Sequence, residues 1–397
     1  MTQRLYYEDP YCREFDGTIR RVERRDGRTL VSLDRTAFYP TSGGQPFDTG
    51  MLDAHPVVDV FDDDDGTVVH VVDARQSSPQ AGQTVRGSID WKRRFDHMQQ
   101  HSGQHILSAS FDRLSSARTV SFHLGTSVST IDIARELSRD EIAKVEVEAN
   151  RVVWEDRPLA IRFVSAEEAA ALPLRKETAR EGTLRLIDID GFDLSACGGT
   201  HVARTGSVGI IAIGAVERFK GGQRVEFFCG GRALDRFRSM QDTLGGAVRL
   251  LSVLPGDLPG AIERLQADAR EGQRALTALQ QDLSRYRAEE LAVSPEQTPA
   301  GRLVLRSVDA DAIGLKSLAS AIVSRPGFVV VLVAAARPTL VVVARSQDGS
   351  VAANQLVAAL TAKFGGRGGG KPDLAQAGGL DASAEEILAA ARAVLLP

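Results

Sequence analysis

The sequence predicts an α+β multidomain chain. An N-terminal β-barrel-like domain spans residues 1–90 and an α+β domain spans 91–240. A helical coiled-coil arm covers 255–293 and a C-terminal α/β domain covers 300–397. Three observations predict this order. β-branched runs between Asp/Gly turns, with few helical periods, fill the first stretch. A heptad seam bounded by prolines stands alone in the third. Buried-type strands alternate with helical periods in the last. A length of 397 residues agrees with two or three domains.

Taken in order, Val57–Val60 and Val68–Val72 are strands, and Asp62–Gly66 is an acidic hairpin tip rather than a metal site. Helical periodicity runs over Phe95–Leu114 and Asp140–Val153, with strands at Ser127–Ile133, Leu184–Ile189 and Val225–Phe228. In the arm, Ile262, Leu265, Ala269, Gly272, Leu276, Leu279, Leu283 and Tyr286 alternate spacings of three and four. Pro255 and Pro259 precede this seam, Pro295 follows it, and Gly272 weakens it locally. The pattern fits a helical hairpin or dimer coil, and equally one long amphipathic helix packed on its own domain. The last domain has strands at Val329–Val333 and Leu340–Ala344 and helices at Asn354–Phe364 and Ala384–Leu395. Between the helices lies GGRGGGKPDLAQAGG, Gly365–Gly379.

Composition is ordinary for a globular chain, with 43% hydrophobic and 25% charged residues. A net charge of −4 argues against coating nucleic acid by bulk charge, and leaves room for local basic patches. The N-terminus has no apolar signal core, and no run approaches the ~18 apolar residues of a membrane span. Cys12, Cys197 and Cys229 are too few and too scattered for a disulfide framework. A cytoplasmic protein without a membrane partner is expected.

His101 and His105 lie four apart inside a helical pattern, so both imidazoles share one face. Cys197 and His201, in CGGTH, are also four apart, with Gly198 and Gly199 letting the backbone bend. Two such pairs make an N₃S set suited to one Zn²⁺ per chain. A buried apolar Cys197 and a core histidine at His201 would be the plainer readings, but neither explains the matched spacing. His97, four before His101, is the rival ligand. The helix is not that of a metalloprotease, because Ser102 stands where a general-base glutamate is needed. Four protein ligands close a zinc shell, as in structural sites, whereas catalysis needs an open position. The sequence leaves both roles open.

The pairs HSGQH and CGGTH, with LDRT at Leu33–Thr36 and FYPTSGGQPFDTG at Phe38–Gly50, resemble the editing domain of alanyl-tRNA synthetases. They resemble still more the free-standing AlaX family in its long form. IDGFDLSACGGTH looks like that family's second metal segment. GGRGGGKPDLAQAGG is similar to the signature of the C-terminal domain shared by alanyl-tRNA synthetases and some phosphodiesterases. The phosphodiesterase core of Asp-His-His is not matched by Asp96-His97-Met98. The β domain follows Met1 almost at once, so no amino-acid-activating domain is expected before it.

The resemblance implies hydrolysis, in trans, of the ester joining serine, glycine or alanine to tRNA(Ala). It implies that Thr36 faces the amino-acid side chain and that Gly43, Gly44 and Gln45 line the pocket. A site that hydrogen-bonds a substrate hydroxyl separates serine from alanine. Gln45 would place the ester or the water. Ser102, Gln104 and His123 are candidates for substrate contact, and Asp193 for orienting a zinc-bound imidazole from behind. Lys220 and Arg224 in FKGGQR suit acceptor-end phosphates. Arg367 and Lys371 flank glycines whose N–H groups can form an anion nest, and the resemblance implies that this domain holds the tRNA elbow. A homodimer through the arm or the C-terminal domain is a further expectation. Two rival functions remain, a non-catalytic tRNA-binding module with structural zinc and a zinc-dependent hydrolase of small esters or amides.

Overall fold

The alternating apolar residues of the first ninety positions can all be buried only if the sheet closes on itself. They do so in the computed structural model, which describes residues 1–74, 79–176, 182–335 and 339–396. Six strands form a closed barrel in the order Glu14–Arg25, Arg28–Leu33, Val68–Val72, His55–Asp62, Gly50–Leu52, Thr84–Ile89. Phe15, Ile19, Val31, Leu33, Val60 and Val68 fill its interior. Every position of Val68–Val72 is buried, His70 included. His70 Nδ1–H donates to the Val31 carbonyl (3.0 Å), which leaves Nε2 to accept from the Thr36 hydroxyl (2.8 Å).

Burial lowers the His70 pKa to about 4. In the unfolded chain the same imidazole binds a proton near pH 6.5. Stability is therefore fully present above pH 6.5 and is lost as pH falls toward 4, by about 1.4 kcal/mol per unit. Urea unfolding at pH 7 and pH 5 is expected to show this slope in the wild type and a shallower one in His70→Asn. Equal slopes would refute a buried neutral imidazole.

After the barrel, Asp90 caps the helix Trp91–Ser115 by accepting from Arg93 N–H, and Ser116 ends it in the left-handed region (φ 48°). This helix is not a surface element, since every residue from Gln100 to Phe111 is buried. Its polar side chains must therefore find partners. Gln100 exchanges hydrogen bonds with the backbone of Cys229 (2.9 and 3.0 Å), and a Cβ at Gly103 would lie 2.2 Å from Cys229 Sγ. Arg94 reaches the barrel side. Its guanidinium donates to both oxygens of fully buried Asp48 and to the carbonyls of Pro10 and Ala37.

Around the helix lie a four-stranded sheet, ordered Ile211–Phe219, Gly222–Cys229, Ser129–Ile133, Thr119–Leu124, and a three-stranded sheet, Leu159–Ser165, Thr183–Ile189, Asp193–Ala196. The helix Arg139–Trp154 begins in a capping box of Ser138 and Glu141. Helix Gly231–Leu251 closes this part of the chain. It had no counterpart in the sequence reading, because its apolar residues straddle the expected boundary near 240.

The chain divides into two compact units, Met1–Ala247 and Val248–Pro397. In the second, helix Leu258–Leu291 leaves the seam residues Leu265, Leu276, Leu279 and Tyr286 exposed, while Ala288 packs beneath the sheet. One long helix spans the arm, buried at Ala261 in its first turn and at Ala288 near its end. A six-stranded sheet follows, ordered Glu296–Thr298, Gly301–Val308, Phe328–Ala334, Thr339–Arg345, Leu374–Leu380, Arg367–Gly370. Helix Ala312–Val323 covers one face, and Ala353–Phe364 with Ala384–Leu395 the other. Among the described residues, no helix is long and apolar enough to cross a membrane.

Candidate metal centre

The buried helix places His101 and His105 one turn apart, and the segment after strand Asp193–Ala196 brings Cys197 and His201 against them. The four ligand atoms lie within 4.8 Å of one another. Cys197 Sγ is 3.3 Å from both His101 Nε2 and His201 Nε2. In a tetrahedral zinc shell, adjacent sulfur and nitrogen donors stand about 3.5 Å apart. His97 is not in the group. It is buried, its Nδ1 has no hydrogen-bond partner among the described residues, and burial among Arg93, Arg232 and Arg94 lowers its pKa to about 3.

What lies behind each imidazole decides which nitrogen faces inward. The Thr200 N–H donates to Gln45 Oε1 (3.1 Å), so that atom is an acceptor, and His101 Nδ1 (2.7 Å) must be the donor. His101 Nε2 is then left with its lone pair toward the cluster. Gln45 Nε2 donates to Thr200 Oγ1 (2.8 Å), which fixes the amide's orientation. His105 Nδ1 faces Asp193 Oδ2 (3.2 Å), and His201 Nδ1 faces Ser102 Oγ (3.2 Å). An amide, a carboxylate and a hydroxyl thus back the three rings, the arrangement expected where a metal is held. The residues fit a zinc ion.

The electrostatics agree. Burial opposes the charged form of every member, yet His105 is raised to about 9 by Asp193 and Cys197. Burial would raise Cys197, but His101 and His201 hold it well below the ordinary thiol range. Burial would also raise Asp193, but His105 and Arg175 bring it to about 2. His201 falls to about 3 through burial and its His101 neighbour. The shift of Cys197 is toward the thiolate, the form a metal ligand needs.

Two glycine pairs make the packing possible, each for its own reason. Gly43 (φ 54°) and Gly44 (φ 82°) form a tight left-handed turn that aims Gln45 inward. Gly199 is required by space, since a Cβ there would sit 2.2 Å from His101 Cε1. The bending expected of Gly198 and Gly199 is not what they supply, because neither adopts a positive φ.

The structure redistributes the expected substrate contacts. Thr36 is fully buried, and its hydroxyl is taken by His70 and by the Phe38 N–H (3.0 Å). Gln45 and Ser102 are buried and back the imidazoles. Gln104 is buried and donates to Ser108 (2.8 Å). His123 is exposed, one residue after Phe122, whose ring lies 5.9 Å from that of His101. Neighbouring strand residues point to opposite faces, so His123 looks away. Asp193 stands behind His105 (3.2 Å). Arg224 is bound to Asp132 (2.7 and 3.0 Å) and stacked on Phe219, so its charge is already compensated. Lys220 is exposed at the hairpin tip. Arg367 begins an exposed edge strand and Lys371 follows it. Arg367–Gly370 pairs with Leu374–Leu380 as a hairpin, and a Cβ at Gly368 would meet Ala377 at 2.4 Å.

Thr200, Arg175, Arg185, Phe122 and Tyr7 were not singled out from the sequence. Arg185 alone left a signal, a charge within the apolar run Leu184–Ile189.

Three domain-family models match the chain. Residues 13–93 match tRNA synthetases class II (A), 184–226 match the threonyl and alanyl tRNA synthetase second additional domain, and 301–396 match the DHHA1 domain. The alanyl-tRNA editing protein AlaX-L of Pyrococcus horikoshii is 30% identical over 98% of this chain and 96% of its own length. The chain belongs to the AlaX family. Alanine–tRNA ligases of Pyrococcus abyssi and Natronomonas pharaonis are 32% and 34% identical over 94% and 99% of the AlaX chain, which spans 42% and 44% of their lengths. The second-additional-domain match contains Cys197 and His201. The other two ligand candidates lie outside all three matched segments.

Gln45→Leu tests the backing of His101. It removes both the acceptor for Nδ1–H and the link to Thr200, and is expected to weaken zinc binding about 10–100-fold. Competition against a chromophoric chelator measures it. Unchanged affinity would mean that His101 is not held by Gln45.

Proposed function

We infer that this chain is an aminoacyl-tRNA deacylase that removes serine from mischarged tRNA(Ala) in trans, with glycyl- and alanyl-tRNA(Ala) as the further candidate substrates and one zinc per chain. The observation that carries the reading is the N₃S cluster. Three imidazoles are oriented with Nε2 inward around a thiolate, in a chain whose relative is named for alanyl-tRNA editing. Bound zinc would supply Lewis acidity toward an ester carbonyl. Cys197, His101, His105 and His201 would hold it. Gln45 and Asp193 accept from the Nδ1–H of His101 and His105, and Ser102 contacts His201 Nδ1. The leaving group is a ribose hydroxyl, which does not demand a strong general acid. Lys220, Arg367 and Lys371 are free to meet phosphates, with tRNA held by the C-terminal domain. Exposed seam residues on helix Leu258–Leu291 favour a homodimer through that helix.

The four-ligand set also favours a second reading, a closed structural zinc in a tRNA-binding module. One experiment separates the two. The zinc-replete protein is incubated with serine-charged tRNA(Ala), beside alanine-charged tRNA(Ala) and threonine-charged tRNA(Thr). Release of serine is expected. Tight binding with no release of any amino acid would overturn the deacylase and leave the binding module.

A further inference from the structure

Beside the ligand cluster stands a phenol, Tyr7. Tyr7, at the end of a short 3₁₀ turn (Leu5–Tyr7), lies with its hydroxyl over the CGG segment. A Cβ built on Gly198 would be 3.5 Å from Tyr7 Oη and would touch nothing else but the same ring. Gly198 follows the ligand Cys197 directly, and both residues are partly open to solvent, as is Tyr7. His101, His105 and His201 are buried. The approach to the cluster from this side is therefore bordered by the phenol.

Tyr7 is held from several directions. Arg185 donates from Nε to the Tyr7 carbonyl (2.9 Å) and from Nη1 to the carbonyls of Cys197 (2.7 Å) and Gly199 (2.9 Å). One guanidinium thus ties the Tyr7 backbone to the ligand segment, and its charge lies 5.5 Å from the Tyr7 ring centre. Arg4, itself paired with Asp62 (2.7 Å), donates to Tyr7 Oη (3.4 Å), while Tyr6 packs edge-on against the ring. The phenol oxygen is accordingly an acceptor from a cation, and its own proton has no acceptor among the described residues. A hydroxyl polarised in this way is a better donor.

We propose that Tyr7 donates a hydrogen bond to the carbonyl oxygen of the aminoacyl ester as that oxygen becomes an oxyanion. The inference rests on the deacylase reading. Water forms a bond to the carbonyl carbon, and the π pair moves onto oxygen, where the Tyr7 proton stabilises it. When the carbonyl re-forms, the bond to the ribose oxygen breaks and that oxygen takes a proton derived from the water. The carboxylic acid releases its proton to solvent. Tyr7 keeps its own proton throughout. Arg185 and Arg4 are positioning residues in this scheme.

The test compares wild type, Tyr7→Phe, Gly198→Ala and the double variant on serine-charged tRNA(Ala), with zinc content measured for each. Tyr7→Phe keeps the ring and its packing and removes only the donor. Its kcat is expected to fall about 100-fold, with KM and zinc content unchanged. Gly198→Ala puts a methyl in the space before the hydroxyl and is expected to lower kcat in the wild type while adding little to Tyr7→Phe. A kcat within about threefold of wild type in Tyr7→Phe, or a change confined to KM, overturns the proposal while leaving the deacylase intact. Additive effects of the two substitutions overturn it as well. An inactive wild type overturns the deacylase reading, and the role of Tyr7 falls with it.

Discussion

Replacing Cys197 by alanine is expected to cost the chain its zinc and its deacylation together. The sulfur is the one anionic atom of the cluster and stands 3.3 Å from two of the three inward nitrogens. Without it, three imidazoles face one another in a buried space with no anionic donor among them. Loss of an outer partner weakens a metal site about 10–100-fold, and loss of a ligand should reach at least the upper end of that range. Zinc would then be absent from the purified variant, and added zinc would no longer raise its melting temperature as it does where metal binds only the folded state. Serine release should fall with occupancy. A variant retaining one zinc per chain and full activity would exclude this cluster as the site. A variant that loses zinc but deacylates at the wild-type rate would make the metal structural.

The ligand pairs were legible in the sequence because helical spacing puts residues four apart on one face, and HSGQH obeys that rule. CGGTH lies outside any helix, and its pairing with the histidines rests on matched spacing and ligand-type residues, not on helical periodicity. What stayed hidden was the direction of each side chain. Gln45 read as a pocket residue because a glycine turn precedes it. The turn buries it behind His101, and no spacing rule reports that. Thr36 read as a strand residue facing substrate, yet its partner His70 lies thirty-four positions away on a barrel strand to which Thr36 does not belong. Strand Thr84–Ile89 and helix Arg139–Trp154 follow patterns of period two and 3.6, whereas Val68–Val72 and Phe328–Ala334 are legible as continuous apolar runs, buried on both faces. Tyr7 and Arg185 follow none, because their roles come from contacts with residues some 180 positions distant.

Asp48→Ala is expected to have the largest effect on stability. Arg94 and Asp48 are each fully buried, and the guanidinium donates to both carboxylate oxygens as well as to two backbone carbonyls. Asp48 also accepts from the Tyr39 N–H (2.7 Å). Removing the carboxylate leaves a desolvated cation with two carbonyls for company and an orphaned amide. Breaking a buried pair from one side costs about 3–5 kcal/mol, because the remaining charge keeps its desolvation penalty. Replacing both partners, as in Asp48→Leu with Arg94→Met, is expected to cost less than Asp48→Ala alone, because no unpaired charge is then buried. Urea unfolding of the three proteins measures the order. The pair also ties the segment carrying Ala37 and Tyr39 to the helix that carries His101, and Gln45 lies on the same barrel segment as Asp48. The double replacement should therefore recover stability while still binding zinc more weakly than wild type. If it instead recovers both, the pair serves stability alone, and the Gln45–His101 alignment is set by Thr200 and the glycine turn.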